Sequence, residues 1–324
     1  MRNQTRTWLI VGGTLALGVP YGVLVRLLMV TPPWMEVLSI GFLFVAPFVI
    51  GFLTGAAAPR QMGVLFRLFF PCATVGLFVA GTALLALEGA ICIVMMLPVA
   101  LVMAVSGGAA SLAFFPVVKD DWREGPPRKP YTALLLAPLL VGFVETRVPL
   151  PDETREVWSR IEIAADAPTV WAEIVQVPLI AEHERRPGFF HDIGFPYPLE
   201  ARIDGEGVGA VRHASFEGGI LFEEVVTEWV PNERLAFTID VDPDSIPTTT
   251  LDRHVTIGGR TFDTLEGVYR IETHPDGFVT LHLGSRHRLS TRFNAYAGLW
   301  TDAVMASIQE EILQVIHDRA EAAR

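Results

Sequence analysis

GEGVGAVRHASFEGGILFEEVVTEWVPNERLAFTI, residues 205–239, decides the fold of the C-terminal half of this chain. Strand-like runs follow one another there at Val208–Phe216, Ile220–Val230 and Arg234–Val241, with apolar and polar residues alternating as they do on a half-covered sheet. Between the first two runs, Glu217-Gly218-Gly219 has the length and the glycines of a three-residue hairpin turn. That turn pairs Phe216 with Ile220. Counting back along both strands then sets His213 opposite Glu223 and Val211 opposite Val225.

The same signals extend in both directions. Upstream, Arg160–Ala164 alternates as a strand, and Asp166 is placed to cap a helix whose first turn tolerates Pro168. A further strand is expected at Leu199–Ile203. Downstream, strands are expected at Arg253–Ile257, Arg260–Glu272 and Phe278–Ser290, with Gly258-Gly259 as a two-residue turn. The chain then turns helical from Asn294 to Ala323. An apolar stripe of Trp300, Val304, Ile308, Ile312 and Val315 shows that this helix lies on something. Strand, helix, long antiparallel meander and closing helix together make an α+β layout: a strongly curved sheet wrapped around the last helix. Such a layout leaves a cavity suited to small apolar ligands.

Three phrases carry a family resemblance: RIEIAADAPTVWAEI at 160–174, the quoted stretch at 205–239, and LGSRHRLSTRFNAYAGLWTDAVMASIQEEILQVI at 283–316. Over about residues 157–323 the chain resembles the SRPBCC superfamily. That superfamily includes START lipid-transfer domains, polyketide cyclase/dehydratase-like proteins and pollen-allergen-like proteins. The resemblance rests on element order and turn phrases. It implies a helix-grip fold with a hydrophobic pocket, and it leaves lipid carrier, cyclase and sensor open, because the superfamily shares no single catalytic set.

Parity along the strands selects the polar residues that face such a pocket. The Gly258-Gly259 turn pairs Ile257 with Arg260 and so His254 with Asp263. Asp263 shares the parity of Leu265, Gly267, Tyr269 and Ile271. On the last strand Leu281, Leu283, Ser285, His287 and Leu289 form the apolar face. The expected ligand-facing set is His213, Glu223, His254, Asp263, Tyr269, Ser285 and His287. A histidine held by a carboxylate is a general base or a ligand anchor. The competing reading makes these satisfied structural pairs, and a single bulge would reverse the parity. Asp240, Asp242 and Asp244 imitate the start of a calcium loop, but Ser245 and Leu251 replace its glycine and closing glutamate. No metal motif, phosphate loop or nucleophile elbow is present, so no cofactor is expected.

The N-terminal half is of another kind. The whole chain of 324 residues is 51% hydrophobic with a mean hydropathy of +0.39. Residues 1–150 carry ten Lys/Arg and six Asp/Glu; residues 151–324 carry fifteen Arg and thirty Asp/Glu, which together give the net charge of −11. Apolar runs at Trp8–Val30, Val37–Ala58, Leu65–Leu87 and Ala90–Val118 have spanning length, and the first is expected to be a retained helix rather than a cleaved signal. A shorter run, Tyr131–Val144, spans only if Glu145 and Arg147 sit at the interface. Arg26 near a span end is expected to snorkel, and no span carries a central charge, which disfavours a channel or proton-coupled transporter. Cys72 and Cys92, both in apolar runs, are expected as buried small hydrophobes.

The expected architecture is therefore an α-helical transmembrane bundle of about five helices at 1–150 and a helix-grip ligand-binding domain at 151–324. With five spans, Arg2, Arg6, Arg60, Arg67, Lys119, Arg123, Arg128 and Lys129 collect on one side, against Arg26 and Arg147 on the other. The positive side is cytoplasmic. With five spans that sets the acidic domain outside the cytoplasm, as expected of a bacterial cytoplasmic-membrane protein; if Tyr131–Val144 does not cross, the domain is cytoplasmic instead. Its charge argues against nucleic acid and against anionic headgroups as partners. The leading expectation is a membrane-anchored binder of a lipid or other hydrophobic small molecule. The alternative is a membrane-tethered cyclase, dehydratase or hydrolase, and a third class is a module with a protein partner.

Overall fold

The structure, a computed structural model, describes residues 2–30, 38–59, 62–115, 132–242 and 257–323, and the chain divides into two compact units, Met1–Pro149 and Leu150–Arg324.

In the first unit, helices α1 (Arg2–Val30), α2 (Ala46–Ala57), α3 (Val64–Leu84) and α4 (Ala90–Phe114) are followed by two short pieces, α5 (Thr132–Leu135) and α6 (Ala137–Glu145). A π-helical turn, Gly41–Val45, leads into α2. Among the described residues three helical stretches are long and apolar enough to cross a membrane: Trp8–Met29, Val64–Leu84 and Ala90–Phe114. The run expected from Val37 to Ala58 forms the shorter apolar helix Gly41–Ala57. The Tyr131–Val144 run is broken at Leu136, where Pro138 restarts the helix in its first turn. Small residues let the helices meet backbone to backbone: a Cβ on Gly107 would come within 2.1 Å of the Phe48 carbonyl, and one on Gly51 within 2.2 Å of that of Ala104. Cys72 and Cys92 are not joined in a disulfide and are only half-buried.

Arg26 does not snorkel. Arg26 is buried, paired with Glu88 and donating to the Leu87 carbonyl at 2.8 Å. Arg67 is fully buried and donates from Nε and Nη2 to the Gly55 carbonyl at 3.1 and 3.0 Å, and from Nη1 to that of Phe115. It thereby satisfies carbonyls that the ends of α2 and α4 leave open. Glu145 does the converse: its carboxylate accepts from Ile40 N at 2.9 Å and Gly41 N at 3.1 Å, where the helix leading into α2 begins.

The second unit is a seven-stranded antiparallel sheet in the order β1-β7-β6-β5-β4-β3-β2. Its strands are β1 (Glu153–Ile163), β2 (Pro198–Asp204), β3 (Val211–Phe216), β4 (Ile220–Val230), β5 (Arg234–Asp240), β6 (Phe262–Thr273) and β7 (Val279–Leu289). Helix α7 (Ala167–Val175) follows β1 and is capped by Asp166, which accepts from Thr169 N at 3.0 Å. One turn of helix, α8 (Phe189–Asp192), precedes β2, and α9 (Asn294–Ala322) closes the chain. This is the curved sheet and long C-terminal helix of a helix-grip fold. The Glu217–Gly219 turn holds Gly218 and Gly219 at φ of 73° and 85°, a conformation that favours glycine, and it pairs Phe216 with Ile220, His213 with Glu223 and Val211 with Val225.

Apolar residues from both layers fill the interior. One cluster joins Ile163, Val170 and Ile174 to Leu235, Leu281, Leu313 and Ile316. A second joins Val177, Ile180, Phe216, Ile220, Phe222 and Val315.

Candidate functional site

Between the inner face of the sheet and α9 lies a cavity of about 140 Å³. Its sheet wall includes Phe216 of β3, Ile220 and Phe222 of β4, Phe237 of β5, Phe262 of β6 and Leu283 of β7. Val304, Met305, Ile308 and Ile312 of α9 form the opposite wall. The segment between α7 and β2 adds Val177, Ile180 and Phe195. A cavity of roughly 150 Å³ with such a lining stays dry and accepts a benzene-sized molecule.

Polar groups enter this wall at few points. Arg212 of β3 and Glu224 of β4 are cross-strand partners, their side chains 4% and 7% exposed, and they form an ion pair inside the sheet. The guanidinium lies over the Phe237 ring at 5.5 Å and the Tyr269 ring at 6.0 Å. Burial drives the Glu224 carboxyl up from the carboxylate range, with Arg212 pulling against it. Burial works against the guanidinium, but Glu224 and the Tyr269 side chain together outweigh it, and Arg212 stays charged. Tyr269 is raised above the usual phenol range, by burial first. Farther along, Gln309 of α9 donates to Ser285 Oγ at 2.6 Å and to the Val157 carbonyl at 2.9 Å, tying helix to sheet at the cavity edge.

Of the seven residues expected at the pocket, Tyr269 and Ser285 line it. His213 and Glu223 are neighbours across the hairpin as expected, but both point to the outer face. His213 is 39% exposed beside Asp204 at 3.5 Å, and Glu223 is exposed. The inner parity belongs to Arg212, Ala214 and Phe216 and to Phe222, Glu224 and Val226. Asp263 also faces outward, toward Arg288 at 3.7 Å, and burial lifts its carboxyl. The cause is a bulge: Thr264 pairs with His287 and Glu266 with Arg286, so Leu265 is the extra residue and parity reverses there. Phe262 and Thr264 face in before the bulge, Gly267 and Tyr269 after it. His254 lies outside the described residues, and its pairing with Asp263 with it. His287 is fully buried, against α9 rather than at the cavity, with Nε2 at 3.3 Å from Thr301 Oγ1 and 3.6 Å from Asp302. Burial lowers its pKa below the usual histidine value, and Asp302 only partly offsets this.

A second buried cluster escaped the sequence reading. His191 Nε2 meets Glu311 Oε2 of α9 at 2.8 Å, and its Nδ1 lies 2.9 Å from the Phe195 carbonyl. The imidazole stacks on Tyr197 at 3.7 Å, and Arg185 covers the other ring and pairs with Glu217 at 2.6 Å. These contacts fasten the segment that carries Phe195 to α9. The glutamate on an otherwise apolar helix face was the available signal. Among the described residues no group of three His, Cys, Asp or Glu side chains is placed to hold a metal ion.

No family model matches the chain, and no curated protein does. Solved structures do. Truncated norcoclaurine synthase from Thalictrum flavum is 15% identical over 52% of this chain and 97% of its own, with a TM-score of 0.32. The Zhui aromatase/cyclase from Streptomyces sp. R1128 is 15% identical over 53% and 97%, at 0.33. A START superfamily protein from Mycobacterium smegmatis is 13% identical over 52% and 99%, at 0.35. At such identities and scores the likeness concerns fold and carries over no ligand or activity.

Proposed function

We propose that the chain is a membrane-anchored binder of a lipid or other hydrophobic small molecule, held between the sheet and α9. The observation that carries this reading is the cavity wall, apolar on both sides with polar groups at a few fixed points. The anchor is supported by the three helices of spanning length and composition.

The ends of the described helices bear on the number of crossings. Gly55, Arg67 and Phe115 meet at one end of the first unit. At the other, Glu145 reaches the start of the helix leading into α2, whose Phe42 lies under Arg26, the partner of Glu88. Phe115 and Glu145 thus lie at opposite ends, which supports an odd number of crossings; with the bias of Lys and Arg toward the N-terminal side, that supports an extracytoplasmic C-terminal domain.

The test is binding of toluene, a neutral probe of about benzene's size, to the chain in lipid nanodiscs. Saturable binding is expected, with Ala214→Trp, which fills the cavity, abolishing it. Wild-type and Ala214→Trp chains that take up the probe equally would refute the reading. The second reading, a cyclase-, dehydratase- or hydrolase-type enzyme for an apolar substrate, is supported by Tyr269 and the Arg212–Glu224 pair at the wall. It requires turnover that Tyr269→Phe removes while probe binding persists.

A further inference from the structure

The walls of the cavity are held in place in different ways. The sheet is bonded strand to strand, and α9 is one continuous helix. The remaining wall is the segment between α7 and β2. Its two feet are tied to the sheet domain by backbone hydrogen bonds: Ile180 N donates to the Leu199 carbonyl at 2.7 Å, and Glu217 N to that of Tyr197 at 2.9 Å. Between these feet, residues 181–196 make backbone-to-backbone hydrogen bonds only with one another, among the described residues. This strap carries the half-buried Phe195 onto the cavity. Side chains fasten it: Glu184 to Arg319 at 2.7 Å, Arg185 to Glu217 at 2.6 Å, Arg186 to Asp318 at 3.2 Å and His191 to Glu311 at 2.8 Å. The first three pairs are partly open to water. Only in the last are both side chains almost wholly buried, 4% and 6% exposed.

Counting protons singles that pair out. His191 Nδ1 lies 2.9 Å from the Phe195 carbonyl, which can only accept, so Nδ1 carries a hydrogen. Nε2 and Glu311 Oε2 then need one proton between them, on either atom. Without it a carboxylate faces an imidazole lone pair away from water, and neither is satisfied. Burial raises the Glu311 carboxyl above its usual range, against the pull of His191 and Arg185. Around the pair stand Arg185, Asp192 and Tyr197 of the strap and Glu217 of the turn between β3 and β4.

We propose that residues 181–196 are the door of the cavity, latched to α9 by the proton that His191 and Glu311 share, so that the door loosens as pH rises. This rests on the cavity reading above and adds a route of entry and its control. In water a glutamate gives up its proton near about pH 4.3 and a histidine near about pH 6.5, so the open pair holds none above the second value. The closed pair holds one. Each opening then releases a proton, and the ratio of closed to open falls about tenfold per pH unit until the closed pair titrates in turn.

Hydrogen–deuterium exchange of the full chain in lipid nanodiscs, read by mass spectrometry, tests the latch. Peptides covering 181–196 are followed from about pH 6 to about pH 9, each rate is corrected for the intrinsic rate at that pH, and β6 and β7 report on the intact fold. In the wild type, strap protection is expected to fall about tenfold per pH unit over at least one unit above about pH 6.5, while the reference strands hold. Glu311→Gln offers His191 Nε2 an amide hydrogen that does not titrate, so protection should persist and the slope vanish. His191→Phe keeps a ring against Tyr197 but removes the latch, and its strap should be weakly protected at every pH. A flat wild-type profile, or a slope that survives Glu311→Gln, overturns the latch. Were His191→Phe not to fold, as its reference strands would show, the wild type and Glu311→Gln decide. Toluene tests the door: it should raise strap protection in the wild type and not in Ala214→Trp. Toluene that binds the wild type without changing strap protection overturns the door. Toluene that does not bind overturns the cavity reading and the door with it, while the slope still reports on the latch.

Discussion

Arg212 and Glu224 each make sense only with the other in place. Arg212→Ala strands a buried carboxylate, and breaking such a pair from one side costs about 3–5 kcal/mol. A thermal melt of Arg212→Ala is expected to show a large loss of stability, and Arg212→Leu/Glu224→Leu a small one; equal losses would mean the pair is not coupled. His287 supplies a pH dependence. Its folded pKa is depressed by burial, whereas an unfolded histidine titrates near about 6.5. Between those values the unfolded chain binds the extra proton. The stability His287 contributes is thus full above about pH 6.5 and is lost as pH falls through the folded value. Melts at pH 7 and pH 5 should differ less in His287→Leu than in the wild type, and an unchanged difference would contradict this. The hairpin register was legible at this scale, but the facing was not. Arg212 and Glu224 read as the wet side of their strands because hydropathy scores each alone, and a mutual ion pair is what lets both be buried.

Elements were legible wherever period and turn residues agreed. Ile220–Val230 was expected and observed with the same ends, and the closing helix differs only at its last residue. Two features had no such signal. The bulge at Leu265 adds a single residue inside an otherwise regular run, and nothing in the alternation of Phe262–Thr273 marks it. The segment from Val177 to Tyr197 has no sustained period and is held by side-chain contacts to α9 that come from distant sequence. The bulge is open to test. Leu265→Ala trims a half-buried side chain and should cost about 1 kcal/mol or less, whereas deleting Leu265 turns Phe262 and Thr264 outward and Asp263 inward. Chemical denaturation of the two variants should separate them clearly. In the first unit, Gly107→Val drives a side chain into the Phe48 carbonyl and should disrupt α2 against α4. Gly76→Ala meets nothing within 4 Å and should leave the melting temperature in detergent unchanged or raised.

For the whole molecule, side and cargo are separate questions. An alkaline-phosphatase fusion after Arg160 should be active and a fluorescent-protein fusion at the same point dark; the reverse would mean that residues 132–145 do not complete a crossing. The division between an apolar N-terminal half and an acidic C-terminal half was plain from charge distribution alone. The buried ties of Arg26, Arg67 and Glu145 were not, since each partner is a backbone group or a residue far along the chain. The central claim is that the cavity of the second unit holds an apolar molecule. Native mass spectrometry of the full chain, purified from membranes and released from detergent in the gas phase, tests it most directly. The account predicts that a small apolar molecule is retained, or toluene taken up when supplied, by the wild type and not by Ala214→Trp. A wild-type chain that never retains or accepts either would contradict it.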